Sequence, residues 1–210
     1  MTEKKIYLSK PAQAVNKYLV DMTEKEHGVG TKYKAELSAL RNSANRSVEN
    51  DLELFKKVTK ILSDNGYYAY NSSYVTAEEE AVGSAITLFA SHYGTKVRVP
   101  YNENRSFGQA LAEIQYKLEF EQSGNDLIVR KLNMVLKANS INEYRRHIKS
   151  ILNFATNEKS SFHYGVFTQD LLDIQRPERK NIILRKWTRD FYNHLHSLKK
   201  KNHTTVQTTP

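Results

Sequence analysis

The sequence predicts an all-α fold, arranged as two small helical bundles joined by a short linker, and three observations predict it. Apolar residues recur every three or four positions along nearly the whole chain. Glycine and proline are scarce, with 8 and 4 in 210 residues, too few for the tight turns of an all-β domain. Two segments, Thr76 to Glu79 and Ser106 to Gln109, have the spacing of capping boxes, in which the first hydroxyl and the fourth side chain satisfy each other's backbone N–H.

Each element follows in order. Residues 11–26 read as a helix with Ala14, Tyr18 and Met22 beside Val15 and Leu19 on its inner face. His27 to Gly30 breaks it. The next stretch, "GTKYKAELSALRNSANR", carries an apolar stripe of Tyr33, Leu37, Leu40, Ala44 and Val48. Beside it runs a donor stripe of Lys34, Ser38, Arg41 and Asn45, three or four positions apart. Residues 50–63 form a helix with Leu52, Phe55, Val58, Ile61 and Leu62 inward. "DNGYYAYNSS" is a loop rich in turn residues, with Tyr67, Tyr68 and Tyr70 in it and Tyr74 just beyond. The first capping box opens a helix through Ala85, Leu88, Phe89 and Tyr93.

"GTKVRVPYNENR" is the linker, dividing a bundle over 1–98 from one over 105–199. The second capping box opens a helix through Leu111, Ile114 and Leu118. Three further stripes follow: Ile128, Leu132, Val135 and Leu136; then Ile141, Tyr144, Ile148, Ile151 and Leu152; then Tyr164, Phe167, Leu171 and Ile174. Leu184, Trp187, Phe191, Leu195 and Leu198 make the last, and residues 200–210 read as a disordered tail because they lack a core face.

Composition narrows the function. The chain has no Cys, which excludes disulfides and Cys-based zinc sites and fits a cytoplasmic location. The N-terminus lacks the apolar core of a secretory signal. No apolar run approaches the roughly 20 residues that span a bilayer, so no membrane role is expected. The net charge of +9 favours polyanionic partners. Much of it lies between Arg176 and Lys201, where nine Lys or Arg face two acids, a net +7.

Catalytic signatures are sparse, and we expect no catalytic residue, metal or cofactor. His194 and His196 stand two apart on a helix and point apart, which suits surface residues better than one metal. Glu78, Glu79 and Glu80 in a first helical turn match the positive end of the helix dipole. Asp170, Asp173 and Asp190 could be nuclease acids but have no visible partner in the sequence.

The basic helix faces are more informative. Lys34 and Arg41 lie on one, while Arg130, Lys131 and Lys137 flank another. Arg145, Arg146 and Lys149 are placed opposite the Ile141–Ile151 core stripe. Arg185, Arg189 and Asn193 recur every four residues, with Lys186 beside them. Any one is ordinarily a solvated face; four in one chain suggest a shared surface for phosphates, to which Arg and Lys donate charge-assisted hydrogen bonds. A helix-turn-helix is also open, with Lys137 to Ser140 as the turn and Asn142, Arg145 and Arg146 on the second helix. So is a stacking platform for single strands at Tyr67, Tyr68, Tyr70 and Tyr74, although loop tyrosines also pack back on cores.

The order of several segments carries a resemblance. "AVGSAITLFASHY", "SFGQALAEI", "LIVRKLNMVLKANSINEYRRHIKSIL", "FHYGVFTQDLLDIQ" and "ILRKWTRDFYN" resemble the CasB family, the small subunit of the type I-E CRISPR Cascade effector complex. The resemblance runs from about Gly30 to Asn193. Its most specific parts are Ser106–Gly108, Tyr164 with Asp170–Leu171, and Trp187 with Arg189 to Tyr192. It departs after Asp170–Leu171, where Ile174–Gln175 replaces a frequent aromatic, and it does not cover the first 29 residues or the tail.

The resemblance implies a non-catalytic, two-bundle helical subunit serving antiviral defence. The implied partners are the other Cascade subunits, guide RNA, target DNA and a second copy of itself, and the implied role is to hold the target and displaced strands of the R-loop. It also implies that Lys32, Lys34, Arg41 and Arg46 match a basic segment of the family's first bundle, and Arg130–Lys131 and Arg145–Arg146 basic pairs of its second. Two readings from other classes stand beside it: a free-standing helical DNA-binding regulator, and a nuclease using Asp170 or Asp190.

Overall fold

The two capping boxes form as their spacing predicts. Thr76 N donates to Glu79 Oε2 at 2.7 Å and Glu79 N returns to Thr76 Oγ1 at 3.2 Å. Ser106 N donates to Gln109 Oε1 at 2.9 Å and Gln109 N to Ser106 Oγ at 3.3 Å. The computed structural model describes residues 7–24, 31–68, 72–93, 102–122, 126–155 and 160–206.

Among these, the chain forms nine α-helices: α1 Lys10–Glu24, α2 Thr31–Ser43, α3 Leu52–Asp64, α4 Ala77–Tyr93, α5 Phe107–Gln122, α6 Leu127–Lys137, α7 Ile141–Leu152, α8 Tyr164–Ile174 and α9 Pro177–Val206. A 3₁₀ turn, Val48–Asn50, links α2 to α3. The all-α expectation holds. No helix among the described residues is long and apolar enough to cross a membrane.

Periodicity holds along the stripe that ends at Val48 and fails at the start of the next helix and at the chain's end. Leu37, Leu40, Ala44 and Val48 are buried, while Lys34, Ser38, Arg41 and Asn45 face out. Leu52, expected inward, is 66% exposed. It is the first residue of α3, after the Asp51 cap that accepts Leu54 N at 3.1 Å, so it has no preceding turn to lie against. α3 ends where Gly66, at φ 71°, takes the left-handed turn that lets Tyr67 N donate back to Leu62 O at 3.0 Å. At the other end of the chain α9 runs past Leu198 to Val206, so residues 200–206 are helical rather than the disordered tail expected.

The core is built around α4, whose residues 81–92 are all buried. It packs on α1, α2, α3, α7 and α8, and α9 packs along α5 and α8. The predicted linker separates two helical sets in sequence, yet α8 rests on α1 and α4, and the buried apolar side chains from α1 to α9 form one continuous cluster. Most of that linker, 94–101, lies outside the described residues.

At the centre of the second set is an aromatic junction. The Phe107 ring lies 4.9 Å from Trp187, 4.9 Å from Phe167 and 5.2 Å from Phe162, and Phe162 stacks on Tyr164 at 4.3 Å. Gly108 follows Phe107 because a Cβ there would collide with Trp187 O and the Asp190 side chain. Asp170 accepts the Trp187 Nε1–H at 2.7 Å and the Lys186 ammonium at 2.7 and 2.8 Å. Burial pushes its pKa up, opposed by Lys186 and the Trp187 bond. A second polar contact lies under α4: His92 Nδ1 is 3.0 Å from Tyr164 Oη, and burial pulls its pKa down to about 3.

Gly108→Ala should cost roughly 1–3 kcal/mol through overpacking of α5 on α9, read as a lower urea midpoint with an unchanged m-value. His92 gives a pH dependence whose sign is set by its depressed pKa. Above pH ~6.5 it is neutral folded or unfolded; below, only the unfolded chain takes up the proton. Stability should therefore fall as pH drops from ~6.5 towards 5, by up to about 1.4 kcal/mol per pH unit from this one group. Urea titrations of His92→Gln should show that part of the slope removed.

Candidate nucleic-acid interface

Where α2 ends, the chain cannot continue helically past Ser43: Ala44 and Arg46 close turns back to Arg41 O and Ser43 O. Ser47 and Asn50 then hold the 3₁₀ turn through Asn50 Nδ2–H to Ser47 Oγ at 2.8 Å. Val48 is buried and anchors this turn to α4, its N–H donating to Glu80 Oε1 at 3.1 Å. Facing the turn is the N-terminal half of α7, fixed by Ser140 Oγ, which accepts Glu143 N at 3.2 Å, and by Glu143 Oε2, which accepts Asn139 N at 2.8 Å.

Between them lies an open cleft of about 520 Å³, lined by residues 44–47 and Asn50 on one side and by Asn142, Glu143, Arg145 and Arg146 on the other. Lys149 Nζ, from α7, donates to Oδ1 of Asn45 in the facing wall at 2.8 Å. The cleft thus joins two sequence-distant basic segments, one at the end of α2 and one on α7. Its rim cations are Arg46, whose side chain is 66% exposed and 3.7 Å from Asp51, and the exposed Arg146. Asn45, Asn50 and Asn142 add neutral donors and acceptors. Asn50, which the sequence pattern assigns to the start of the next helix, lies instead in the 3₁₀ turn and on the cleft wall.

Arg145, which the sequence pattern places on the outward face of α7 beside Arg146, is instead buried, at 3% exposure. Its Nη2 donates to Asn142 Oδ1 at 2.9 Å, and its Nη1 is buried without a hydrogen-bond partner. Burial lowers its pKa and raises that of Glu80, while each charge draws the other towards its ionised form. The reason is helical geometry: position 145 follows Tyr144 and precedes Ile148 by three, so it falls at the edge of the buried stripe rather than opposite it. Glu80, read as a dipole-matching acid, therefore also serves Val48 and Arg145.

The remaining basic residues scatter. Lys34 and Arg41 are exposed on α2; the Lys32 side chain lies outside the described residues. Arg130 and Lys137 are exposed on α6, but Lys131 bends back to Ser150 Oγ at 2.5 Å and lies 5.5 Å from the Phe154 ring centre. On α9, Arg189 is exposed and Arg185 is exposed with Nε donating to Asn181 O at 3.0 Å, but Lys186 is held by Asp170. Lys186 is therefore a structural cation. Asp170 is occupied by the same pair, and Asp173 lies 3.5 Å from Arg176 and 3.3 Å from Arg179. His194, expected as a surface residue, joins α9 to α5 through Glu113 at 3.0 Å. Among the described residues no three or more His, Asp or Glu gather where they could hold a metal ion.

Fold and site together define an all-helical protein with a cationic cleft between its two helical sets. The chain belongs to the family described as CRISPR-associated protein Cse2 (CRISPR_cse2), which it matches over residues 36–192. It is accordingly a subunit of a CRISPR Cascade complex, from a structural rather than an enzymatic family. The crystal structure of CasB from Thermobifida fusca is similar over 90% of this chain and 99% of that one, with a TM-score of 0.66 at 15% identity, a likeness of fold. No curated protein sequence matches the chain.

The two neighbouring arginines should separate cleanly. Arg145→Ala should lower stability by roughly 1–3 kcal/mol, because it removes a buried side chain bonded to Asn142 and leaves the half-buried Glu80 carboxylate without the charge that offsets it. Arg146→Ala should stay within ~0.5 kcal/mol of the parent, as surface substitutions do. Thermal melts of the two variants side by side provide the check.

Proposed function

We propose that this chain is the non-catalytic small subunit of a type I-E Cascade complex, and that its cleft holds the sugar–phosphate backbone of single strands exposed in the R-loop. The observation that carries the reading is the convergence of Arg46 with Arg146 and Lys149 around one cleft, from segments about a hundred residues apart in sequence. Replacing a DNA duplex by a guide–target heteroduplex is nearly balanced in free energy. A subunit that neutralises phosphates of the freed strands tips that balance without reading sequence. Lys34, Arg41, Arg130, Lys137, Arg185 and Arg189, all exposed, extend the cationic surface beyond the cleft. In this reading the other Cascade subunits, guide RNA, target DNA and a second copy of the chain are its partners, in the cytoplasm.

The test is a titration of the full chain with single-stranded DNA, single-stranded RNA and duplexes of unrelated sequence at several salt concentrations. Engagement of roughly 3–5 phosphates of a single strand gives a log–log salt slope of about −2 to −3.5. Arg46→Ala with Arg146→Ala should weaken binding equally for all sequences and make the slope shallower by about 1.4, two phosphates' worth. An unchanged slope in the double variant would remove the cleft from the site. Tight, sequence-selective duplex binding would favour a regulator instead.

A further inference from the structure

The 3₁₀ turn Val48–Asn50 is a ridge with a different surface on each side. Arg46, Ser47 and Asn50 line the cationic cleft. Val48, Glu49 and Leu52 line a groove on the far side, where two adjoining hollows of about 270 and 240 Å³ share Phe55, Ser72 and Tyr74. This groove is aromatic where the cleft is cationic. Tyr74 is 82% exposed and Tyr68 is 53% exposed at its rim, with Leu52 beside them. The Tyr74 backbone is held at this rim: its N–H donates to Ser72 Oγ at 3.2 Å, and the Ser72 hydroxyl returns to Tyr74 O. The groove's walls add the Thr59 and Ser63 hydroxyls and two carboxylates, Glu49 and Glu79, the latter engaged in the Thr76 capping box.

We infer that this groove takes the bases of a single strand whose phosphates lie in the neighbouring cleft, with Tyr74 as the stacking face. A nucleotide has an anionic half and an uncharged, flat, π-faced half, and the two sides of the ridge match those halves in turn. Glu49 repels phosphate but accepts hydrogen bonds from exocyclic base amines. Base stacking on tyrosine is tolerant of sequence, in keeping with a subunit that must accept any target. The contiguity of groove and cleft across five residues, 46 to 50, selects nucleic acid over an apolar protein segment as the occupant. This inference rests on the strand-holding reading of the cleft. Of the tyrosines considered from sequence, Tyr67 is half-buried and Tyr70 lies outside the described residues.

The full chain is titrated with a thymidine oligonucleotide and with an abasic oligonucleotide of equal length, which keeps the phosphates and lacks the bases. The intact oligonucleotide should bind about 5- to 150-fold more tightly, the range expected for stacking one base, and should quench tyrosine fluorescence. Tyr74→Ala should erase that preference while leaving the salt slope unchanged, and Tyr74→Trp should restore or enlarge it. Equal, salt-sensitive binding of both oligonucleotides overturns the stacking inference and leaves the phosphate-holding cleft standing. If Tyr74 then becomes shielded from hydroxyl-radical labelling only on assembly with the other Cascade subunits, the groove is a protein interface. Absence of binding to either oligonucleotide overturns both readings together.

Discussion

Trp187 is the point on which the rest of the second helical set depends. Its indole is fully buried between Phe107 and Phe167, and its N–H is satisfied by the Asp170 carboxylate. A buried carboxylate is tolerable only when charge and donors meet it, and Lys186, one residue earlier on the same helix, supplies the charge. α8 and α9 are thereby locked in register by three hydrogen bonds to one side chain. α5 can then lie against α9 because Gly108 leaves room for the Trp187 carbonyl. Ser106–Gly108, Asp170–Leu171 and Trp187, all among the most specific parts of the family resemblance, meet at this place, so these parts report the packing of the core.

The cleft hangs from the other half of that core. α4 is buried along most of its length and presents Glu80 towards both Val48 N and Arg145. Glu80 thus anchors the turn after α2 through the Val48 N–H, and its charge attracts Arg145 on the helix opposite. Charge in this protein divides into two populations. Arg145 and Lys186 face acids in or at the edge of the interior, where each one's removal would leave an uncompensated carboxylate. Arg46, Arg146 and Arg189 stand in water, where intramolecular pairing is worth little and a polyanion can compete for them.

Sequence periodicity carries far for helices and their inner faces, and loses resolution at edges. Leu37 and Leu40 are buried as their spacing requires, because the middle of a helix has one face and a fixed angular step. Leu52 and Arg145 show where this fails. The first has no turn in front of it, and the second sits on the boundary of a stripe, where neighbouring helices rather than angle decide burial. Lys131 and Lys186 look like free cations in the sequence for a related reason: their partners, Ser150 and Asp170, lie 19 and 16 residues away. The same holds at the chain's end, where α9 persists beyond Leu198, the last residue of its apolar stripe, because continuing an established helix is far easier than starting one.

By itself the sequence determined that this is an all-helical chain, basic and free of cysteine, with helix starts at its capping boxes and a segment order resembling one family of Cascade subunits. These are consequences of local hydrogen bonding, side-chain period and composition, which act over a few residues at a time. Only the tertiary structure decided that Asn45 and Arg46 face Arg146 and Lys149, that Arg145 is withdrawn from that surface, and that Tyr74 and Leu52 share a groove across the ridge. Those facts depend on how α2, α4 and α7 pack, and the relative placement of helices is set by the summed shapes of many buried side chains, which no local pattern encodes.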